Sequence, residues 1–177
     1  MNRTPPKPCK PIRSSPPFIL PLFFPAMSDE LDDLYQDIIL DHHRRPRNRG
    51  TMEHPSAQSE GFNPLCGDEL TVFLKMDGDK IADIKFTGQG CAISQASASL
   101  MTVRIKGKTV AEARSEIADI KALLVAGDEP LIAVQERVGD AIALKGVRKF
   151  PARVKCATLS WHALESALAG SGKATTE

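Results

Sequence analysis

The chain has 177 residues, 42% hydrophobic and 25% charged, which excludes fibrous and wholly disordered classes and suffices for one domain with an apolar core. The net charge is +1, but residues 1–26 carry four basic and no acidic side chains, so the remaining chain is mildly acidic at −3. We therefore expect no nucleic-acid binding, which requires clustered Lys and Arg. No apolar run of about 18 residues is present, so we expect no membrane span and a cytoplasmic protein.

Residues 1–26 contain eight of the 13 prolines. The apolar stretch Phe18–Phe24 follows basic residues, as in a secretory signal, but Pro21 interrupts it. We interpret residues 1–26 as a disordered, Pro-rich extension, or as a mis-assigned start upstream of Met27. Cys9 lies in this segment and is assigned no role.

Residues 28–44 are predicted to form an amphipathic helix. Ser28 suits the N-cap position, and Pro46 ends the helix. The apolar positions follow the spacing of one buried helical face and comprise Leu31, Leu34, Tyr35, Ile38 and Ile39. A polar loop is expected from there through Asn63.

A β-hairpin is predicted after this loop. Residues 70–76 and 82–86 alternate between apolar and polar side chains, and the turn signal Asp77-Gly78 lies between them. On the second strand the apolar face consists of Ala82, Ile84 and Phe86. Each strand has one apolar face, so helices are expected to cover one side of the sheet.

Helical patterns follow the hairpin. A helix over residues 92–105 is rich in Ala and Ser, whose small side chains allow close packing, and Thr109 with Glu112 forms a capping box for a helix over 110–125. Residues 131–137 predict a short helix.

A loop through residue 147 and a last helix over residues 152–169 complete the domain. We predict an α+β fold in which a small antiparallel sheet is packed on one side by helices. This domain spans residues 27–170, and residues 171–177 are expected to be a loose tail.

Three cysteines stand at the edges of predicted elements. Cys66 precedes the first hairpin strand, Cys91 starts a helix, and Cys156 lies near the start of the last helix. A thiolate binds metal or attacks sulfur, and its pKa falls near a helix N-terminus or a cation. Cys91 lies at a predicted helix N-terminus. Cys156 lies near a helix N-terminus and also near two cations in sequence, Arg153 and Lys155.

Asp68 can add an oxygen ligand to these thiols, because it follows Cys66 by two residues and Gly67 can bend the loop between them. Three sulfurs and one oxygen suit zinc. The hard carboxylate is the weakest of the four ligands, so we expect it to be the one exchanged when a substrate or partner arrives.

Other interpretations of these residues remain open on spacing alone. A free cysteine often only fills space in a core. The four cysteines could also pair as two disulfides, but this is disfavoured, because a domain of this size can fold on its apolar core and two bridges would add little stability. Four histidines are assigned to structural or surface positions, namely His42, His43, His54 and His162.

Three local sequences resemble the U-type iron–sulfur cluster assembly family, which includes NifU N-terminal domains and IscU-like scaffolds. They are Asn63-Pro64-Leu65-Cys66-Gly67-Asp68, then Gly88-Gln89-Gly90-Cys91-Ala92-Ile93-Ser94, and Lys149-Phe150-Pro151-Ala152-Arg153-Val154-Lys155-Cys156. The resemblance covers about residues 31–169. Within the family, the chain is most similar to the SUF-system, SufU-like branch. Lys155 stands where the ISC type carries a histidine, and the stretch between Cys91 and Cys156 is longer.

The resemblance implies zinc held by Cys66, Asp68, Cys91 and Cys156. It also implies a partner, a pyridoxal-phosphate-dependent cysteine desulfurase, and downstream iron–sulfur assembly proteins. In this branch the persulfide sulfur passes to the thiol matching Cys66, after a partner residue displaces that thiol from zinc. We expect a sulfurtransferase-like sulfur acceptor rather than a hydrolase.

Two alternatives stand beside this expectation. The same residues could scaffold an iron–sulfur cluster, or bind iron, for transfer to apo-proteins. A purely structural zinc module would instead hold its four ligands permanently, but the Asp ligand and the glycines that open the site argue against it.

Overall fold

The computed structural model describes residues 27–125 and 136–176, with side chains described from Asp33 onward. The extension predicted at residues 1–26 and most of the short helix predicted at 131–137 lie outside the described residues. In chain order the elements are α1 (Met27–Arg44), β1 (Ala57–Asn63), β2 (Asp68–Asp77), β3 (Lys80–Gln89), α2 (Ala92–Ile105), α3 (Val110–Val125), a 3-10 helix (Gly139–Lys149), α4 (Pro151–Ala169) and β4 (Lys173–Thr175).

Four strands form one mixed sheet in the order β3-β2-β1-β4. Strand β2 is antiparallel to its two neighbours, β1 and β3, whereas β4 runs parallel to β1. The predicted α+β class, with helices packed on the sheet, is confirmed. The sheet has two strands more than the predicted hairpin.

Strand β1 occupies the end of the segment that was predicted to be a polar loop. Its inward-facing residues are Ser59, Gly61 and Asn63, while the apolar Phe62 faces out. Gly61 allows α4 to pack closely there, because a Cβ atom would lie 3.1 Å from Cδ1 of Leu159 on α4. The loop prediction is wrong because close packing against α4 requires small inward residues, which removes the apolar alternation of a typical strand.

Strand β4 lies in the predicted loose tail, and that prediction is wrong for its residues. Gly170 ends α4 in the left-handed conformation at φ 72°, which turns the chain back toward the sheet. The N–H of Glu60 donates to the carbonyl of Gly172 at 2.9 Å, and the hydroxyl of Ser166 donates to the carbonyl of Lys173 at 2.7 Å. These bonds attach the tail to both β1 and α4.

A β-bulge changes the predicted inward face of β3. The pairing shifts between Lys75 and Met76, so that Met76 pairs with Ile81 and Ala82 has no partner in the register. Ile81 is consequently buried, and Ala82 is exposed. The prediction that Ala82 shares the apolar face is wrong because a bulge inverts the alternation at one residue.

The Ala- and Ser-rich helix α2 packs between α1, α4 and the sheet. The hydroxyl of Ser97 donates to the carbonyl of Ala157 at 2.6 Å and accepts from the indole N–H of Trp161 at 3.1 Å. Both contacts require α2 and α4 to approach closely, as the small residues of α2 predicted. They also satisfy the polar atoms of residues that are fully buried.

Helix α3 and the 3-10 helix pack against α4 and against each other. The N–H of Thr109 donates to Oε2 of Glu112 at 2.7 Å and the N–H of Glu112 donates to Oγ1 of Thr109 at 3.3 Å, which confirms the predicted capping box. The loop predicted through residue 147 is instead a 3-10 helix with buried apolar side chains.

Within the described residues, no helix combines the length and apolar character needed to cross a bilayer.

Candidate metal centre

The candidate site lies at one edge of the sheet, where β1 ends, β2 begins and β3 ends. Asn63 of β1 pairs with Asp68 of β2, and Glu69 pairs with Gln89 of β3. The four-residue loop between β1 and β2 carries Cys66, and its main chain bends at Gly67, where φ is 68°. The fold therefore delivers three chain segments to one edge.

The predicted donors meet at this edge. The Sγ atoms of Cys66 and Cys156 are 3.3 Å apart, and one donor atom from each of Cys66, Asp68 and Cys156 lies within 4.8 Å of the others. Cys91 lies outside this trio, although its Sγ is 3.9 Å from Oδ2 of Asp68. Its sulfur instead accepts from the N–H of Ser94 at 3.5 Å as the N-cap of α2.

The carboxylate of Asp68 is held from two sides. Oδ1 accepts from the N–H of Cys91 at 2.8 Å, and Oδ2 accepts from Nδ2 of Asn63 at 3.4 Å. Only 1% of Asp68 is exposed. Gly90 forms the wall behind it, since a Cβ atom there would lie 2.6 Å from Oδ1. The orientation of the carboxylate is thus set before any ion binds.

The three thiols differ in access to solvent. Cys66 is exposed on its loop, Cys91 is half-buried and Cys156 is buried, and none of them forms a disulfide. An incoming reagent can therefore reach Cys66, whereas Cys156 is shielded by the body of the domain.

Burial raises the pKa of the Cys156 thiol well above its ordinary value, and hydrogen bonds to Asp68 and Cys66 add to this shift. The lower pKa predicted from the helix start and from Arg153 and Lys155 is wrong. Both cations lie near Cys156 in sequence, but burial and the hydrogen bonds to Asp68 and Cys66 determine the direction of the pKa shift. In the metal-free protein Cys156 therefore holds its proton at neutral pH, and a metal ion bound through its sulfur would have to displace that proton.

The donor set fits zinc. With Zn–S bonds of about 2.3 Å, a tetrahedral ion separates its ligand atoms by about 3.8 Å. The Sγ atoms of Cys66 and Cys156, at 3.3 Å, are about 0.5 Å closer than that separation. The Sγ of Cys91, outside the trio, is 3.9 Å from Oδ2 of Asp68. Two soft sulfurs and one carboxylate oxygen lie within 4.8 Å of one another, and Cys91 lies beside the carboxylate.

The histidines lie outside the trio of donors. His42 is 7% exposed and its Nδ1 is 2.8 Å from Oγ of Ser99, so it belongs to the packing of α1 on α2. Nδ1 of His162 is 3.9 Å from a carboxylate oxygen of Glu165. His42 is therefore a structural residue, in keeping with its default assignment.

Sequence reasoning missed two residues of this edge, Asn63 and Gly90. Both belong to the cysteine motifs but were assigned no role there, and only the structure shows that each lies against Asp68. The signal at Asn63 was its place before Pro64, since Asn favours turn starts where its side chain accepts a backbone N–H.

Comparison with known proteins now decides the family. The model of the NifU-like N terminal domain family matches residues 34–157, which is more than half of the chain. The chain belongs to this family. The U-type resemblance found in the three cysteine motifs is thereby confirmed.

Several members of the family are similar over most of their length. The chain is 48% identical over 144 residues to the zinc-dependent sulfurtransferase SufU of Bacillus subtilis, covering 81% of this chain and 95% of that protein. It is 43% identical over 145 residues to the iron-sulfur cluster assembly scaffold protein IscU of Streptococcus pyogenes, covering 82% and 89%. The family thus includes relatives with two different functional names.

Solved structures of the family share the fold. A putative scaffold protein for the SUF system from Fervidobacterium islandicum has a TM-score of 0.69 at 38% identity, covering 75% of this chain and 94% of that one. A NifU-like N-terminal protein from Brucella abortus has a TM-score of 0.69 at 27% identity, covering 80% and 96%.

Proposed function

We propose that this protein is a zinc-dependent sulfur acceptor that serves iron–sulfur cluster assembly in a SUF-type system. The observation that carries the proposal is the pairing of an exposed Cys66 thiol with a buried Cys156 thiol 3.3 Å away, beside Asp68. The similarity to a relative named zinc-dependent sulfurtransferase supports the same assignment.

Cys66, Asp68, Cys91 and Cys156 are the proposed zinc ligands. Bound zinc would keep the thiols ionised at neutral pH. Cys91 and Cys156 hold the ion from the body of the domain, because Cys91 caps the start of α2 and Cys156 lies on α4. Asp68 is the exchangeable ligand, because a carboxylate is the weakest partner for zinc in a set of thiolates.

Cys66 is the proposed sulfur acceptor, and its partner is a pyridoxal-phosphate-dependent cysteine desulfurase. The Cys66 thiolate attacks the terminal sulfur of the desulfurase persulfide, forming a new S–S bond at its Sγ. The donor S–S bond breaks, and the desulfurase cysteine leaves as a thiolate. The transfer consumes no oxidant or reductant, and the persulfide on Cys66 then feeds downstream assembly proteins.

The acceptor is tested by trapping the persulfide. The zinc-loaded protein is incubated with a cysteine desulfurase and free cysteine, alkylated, and analysed by peptide mass spectrometry. We expect one added sulfur atom on Cys66, none in Cys66→Ser, and a normal yield in Leu65→Ala, which changes the exposed neighbour in the same loop. Sulfur found on Cys91 or Cys156 instead would contradict the assignment of Cys66.

Scaffolding of an iron–sulfur cluster is the second candidate, because three cysteines and one aspartate at one edge also suit iron and sulfide. The relative named as an IscU scaffold favours this candidate. Anaerobic incubation with ferrous iron and sulfide distinguishes the two. A stable brown product that delivers its cluster to an apo-protein favours the scaffold, whereas a colourless zinc protein that stimulates desulfurase turnover favours the acceptor.

A further inference from the structure

Asn63 joins three parts of the candidate metal centre. It is the last residue of β1 and is fully buried. Its Oδ1 accepts from the N–H of Leu65 at 3.2 Å, and its main-chain carbonyl accepts from the N–H of Gly67 at 2.9 Å. Its Nδ2 lies 3.4 Å from Oδ2 of Asp68 and 3.5 Å from Sγ of Cys156.

The orientation of this amide follows from its partners. The N–H of Leu65 needs an acceptor, so Oδ1 faces the loop and the two hydrogens of Nδ2 face Asp68 and Cys156. Both of these groups are negatively charged when they bind a metal ion. An N–H donor interacts more strongly with a charged acceptor than with a neutral one, so the Nδ2 contacts should strengthen in the metal-bound protein.

We propose that Asn63 is a positioning residue of the metal centre, whose amide orients the Asp68 carboxylate and the Cys156 thiolate and tunes the sulfur toward the ion. The inference rests on the proposed metal function of these residues. It differs from a purely structural role, in which Asn63 would only shape the Cys66 loop through Leu65 and Gly67.

Two substitutions separate these roles. Asn63→Ser supplies a hydroxyl oxygen that can replace Oδ1 as the acceptor for the N–H of Leu65, as Ser does in turns. The serine side chain is too short to donate to Cys156. Asn63→Asp retains the size and the acceptor of Asn63 and replaces its donor group by a carboxylate oxygen, which when ionised adds a negative charge beside Asp68 and Cys156. Ser59→Ala is the matched control, because Ser59 is also fully buried on the inward face of β1 and its hydroxyl has no hydrogen-bond partner within the described residues.

The measurements are the absorption spectrum of the Co²⁺-substituted protein and zinc affinity by chelator competition. We expect Asn63→Ser to bind zinc about 10–100-fold more weakly, as is typical when a partner of a metal ligand is lost. In both Asn63 variants the sulfur-to-cobalt charge-transfer bands should move to longer wavelength, because the thiolate loses a donor. Ser59→Ala should match the wild type in both measurements.

An unchanged cobalt spectrum in the folded Asn63 variants would overturn the inference and leave Asn63 with a role in the turn alone. If Asn63→Ser does not fold, Asn63→Asp decides by the same spectrum. A wild-type protein without any sulfur-to-cobalt bands would overturn the proposed metal function itself, and the inference with it.

Discussion

Substituting Gly90 by alanine perturbs Asp68 without altering any proposed ligand. The new Cβ would lie 2.6 Å from Oδ1 of Asp68 and 3.0 Å from both its Cβ and Cγ. Because the whole short side chain is in the way, rotation of the carboxylate alone does not relieve the overlap. The φ of Gly90 is not in the left-handed region, so the main chain accepts alanine and the overlap with Asp68 is the main cost.

The magnitude follows from the hydrogen bond that must break. When Asp68 moves, Oδ1 loses the N–H of Cys91 at 2.8 Å, and a hydrogen bond to a charged group contributes about 1.5–3 kcal/mol. We expect Gly90→Ala to lower the free energy of unfolding of the metal-free protein by about that amount. In an Asp68→Ala background most of this cost should disappear, because the Oδ1 and Cγ atoms are gone.

The assay is urea unfolding of the metal-free protein under reducing conditions, with all four members of the double-mutant cycle. Gly146→Ala is the control for the general effect of replacing glycine by alanine, since no atom lies within 4 Å of a Cβ at that position. It should be as stable as the wild type or more stable by up to about 1 kcal/mol, because alanine restricts the unfolded chain. If Gly90→Ala costs as much with Asp68 absent as with Asp68 present, the contact between the two residues does not set the carboxylate position and the reasoning fails.

Three further predictions concern the thiols, the carboxylate and a buried histidine. Asp68→Ala should retain zinc, as measured by metal analysis, but lose desulfurase stimulation; normal stimulation would contradict the role of Asp68 as the exchangeable ligand. In the metal-free protein, the oxidant diamide should form a disulfide between Cys66 and Cys156, whose Sγ atoms are 3.3 Å apart. Bound zinc should prevent this disulfide. Equal oxidation with and without zinc, measured by mass spectrometry under non-reducing conditions, would argue against ligation of one ion by both thiols. Burial and the charge of Arg47 hold the pKa of His42 below its ordinary value of 6.5, so the unfolded chain binds the proton first and stability should fall as pH drops below about 6.5. His42→Asn should flatten the fall in the thermal unfolding midpoint between about pH 7.5 and 5.5; an unchanged slope would refute this.

The difference in solvent exposure between the thiols determines which of them a partner protein can reach. Cys66 is reachable from solvent, whereas Cys156 is buried and burial raises the pKa of its thiol. A partner can therefore approach Cys66 while Cys156 stays in the body of the domain.

Several elements were predictable because local chemistry decides them. The bounds of α2 and α3 were predicted to the residue, and the capping box of Thr109 and Glu112 formed as expected. The turn at Asp77-Gly78 was equally local, since Gly78 adopts a φ of 61°. Such signals depend on residues a few positions apart, so the sequence contains them in full.

Other elements depend on distant packing and could not be predicted in the same way. Strand β1 has small inward residues because α4 packs closely on Gly61, and β4 is a strand only because β1 offers a free edge. The bulge near Ala82 likewise reflects the pairing of two strands rather than the pattern of one. In each case the determining contact lies far away along the chain.

The sequence by itself determined the family, the helices and the hairpin, and it nominated the three cysteines and Asp68 through their motifs. Only the tertiary structure decided which donors meet, because Cys66 and Cys156 are 90 residues apart in the chain and come within 3.3 Å through the packing of α4 on β1. It also decided that burial outweighs the nearby cations at Cys156, and that Asn63 and Gly90 hold Asp68 in place. The physical reason is that charge, burial and contact distance are properties of the folded surroundings, whereas capping, turns and periodicity are properties of neighbouring residues.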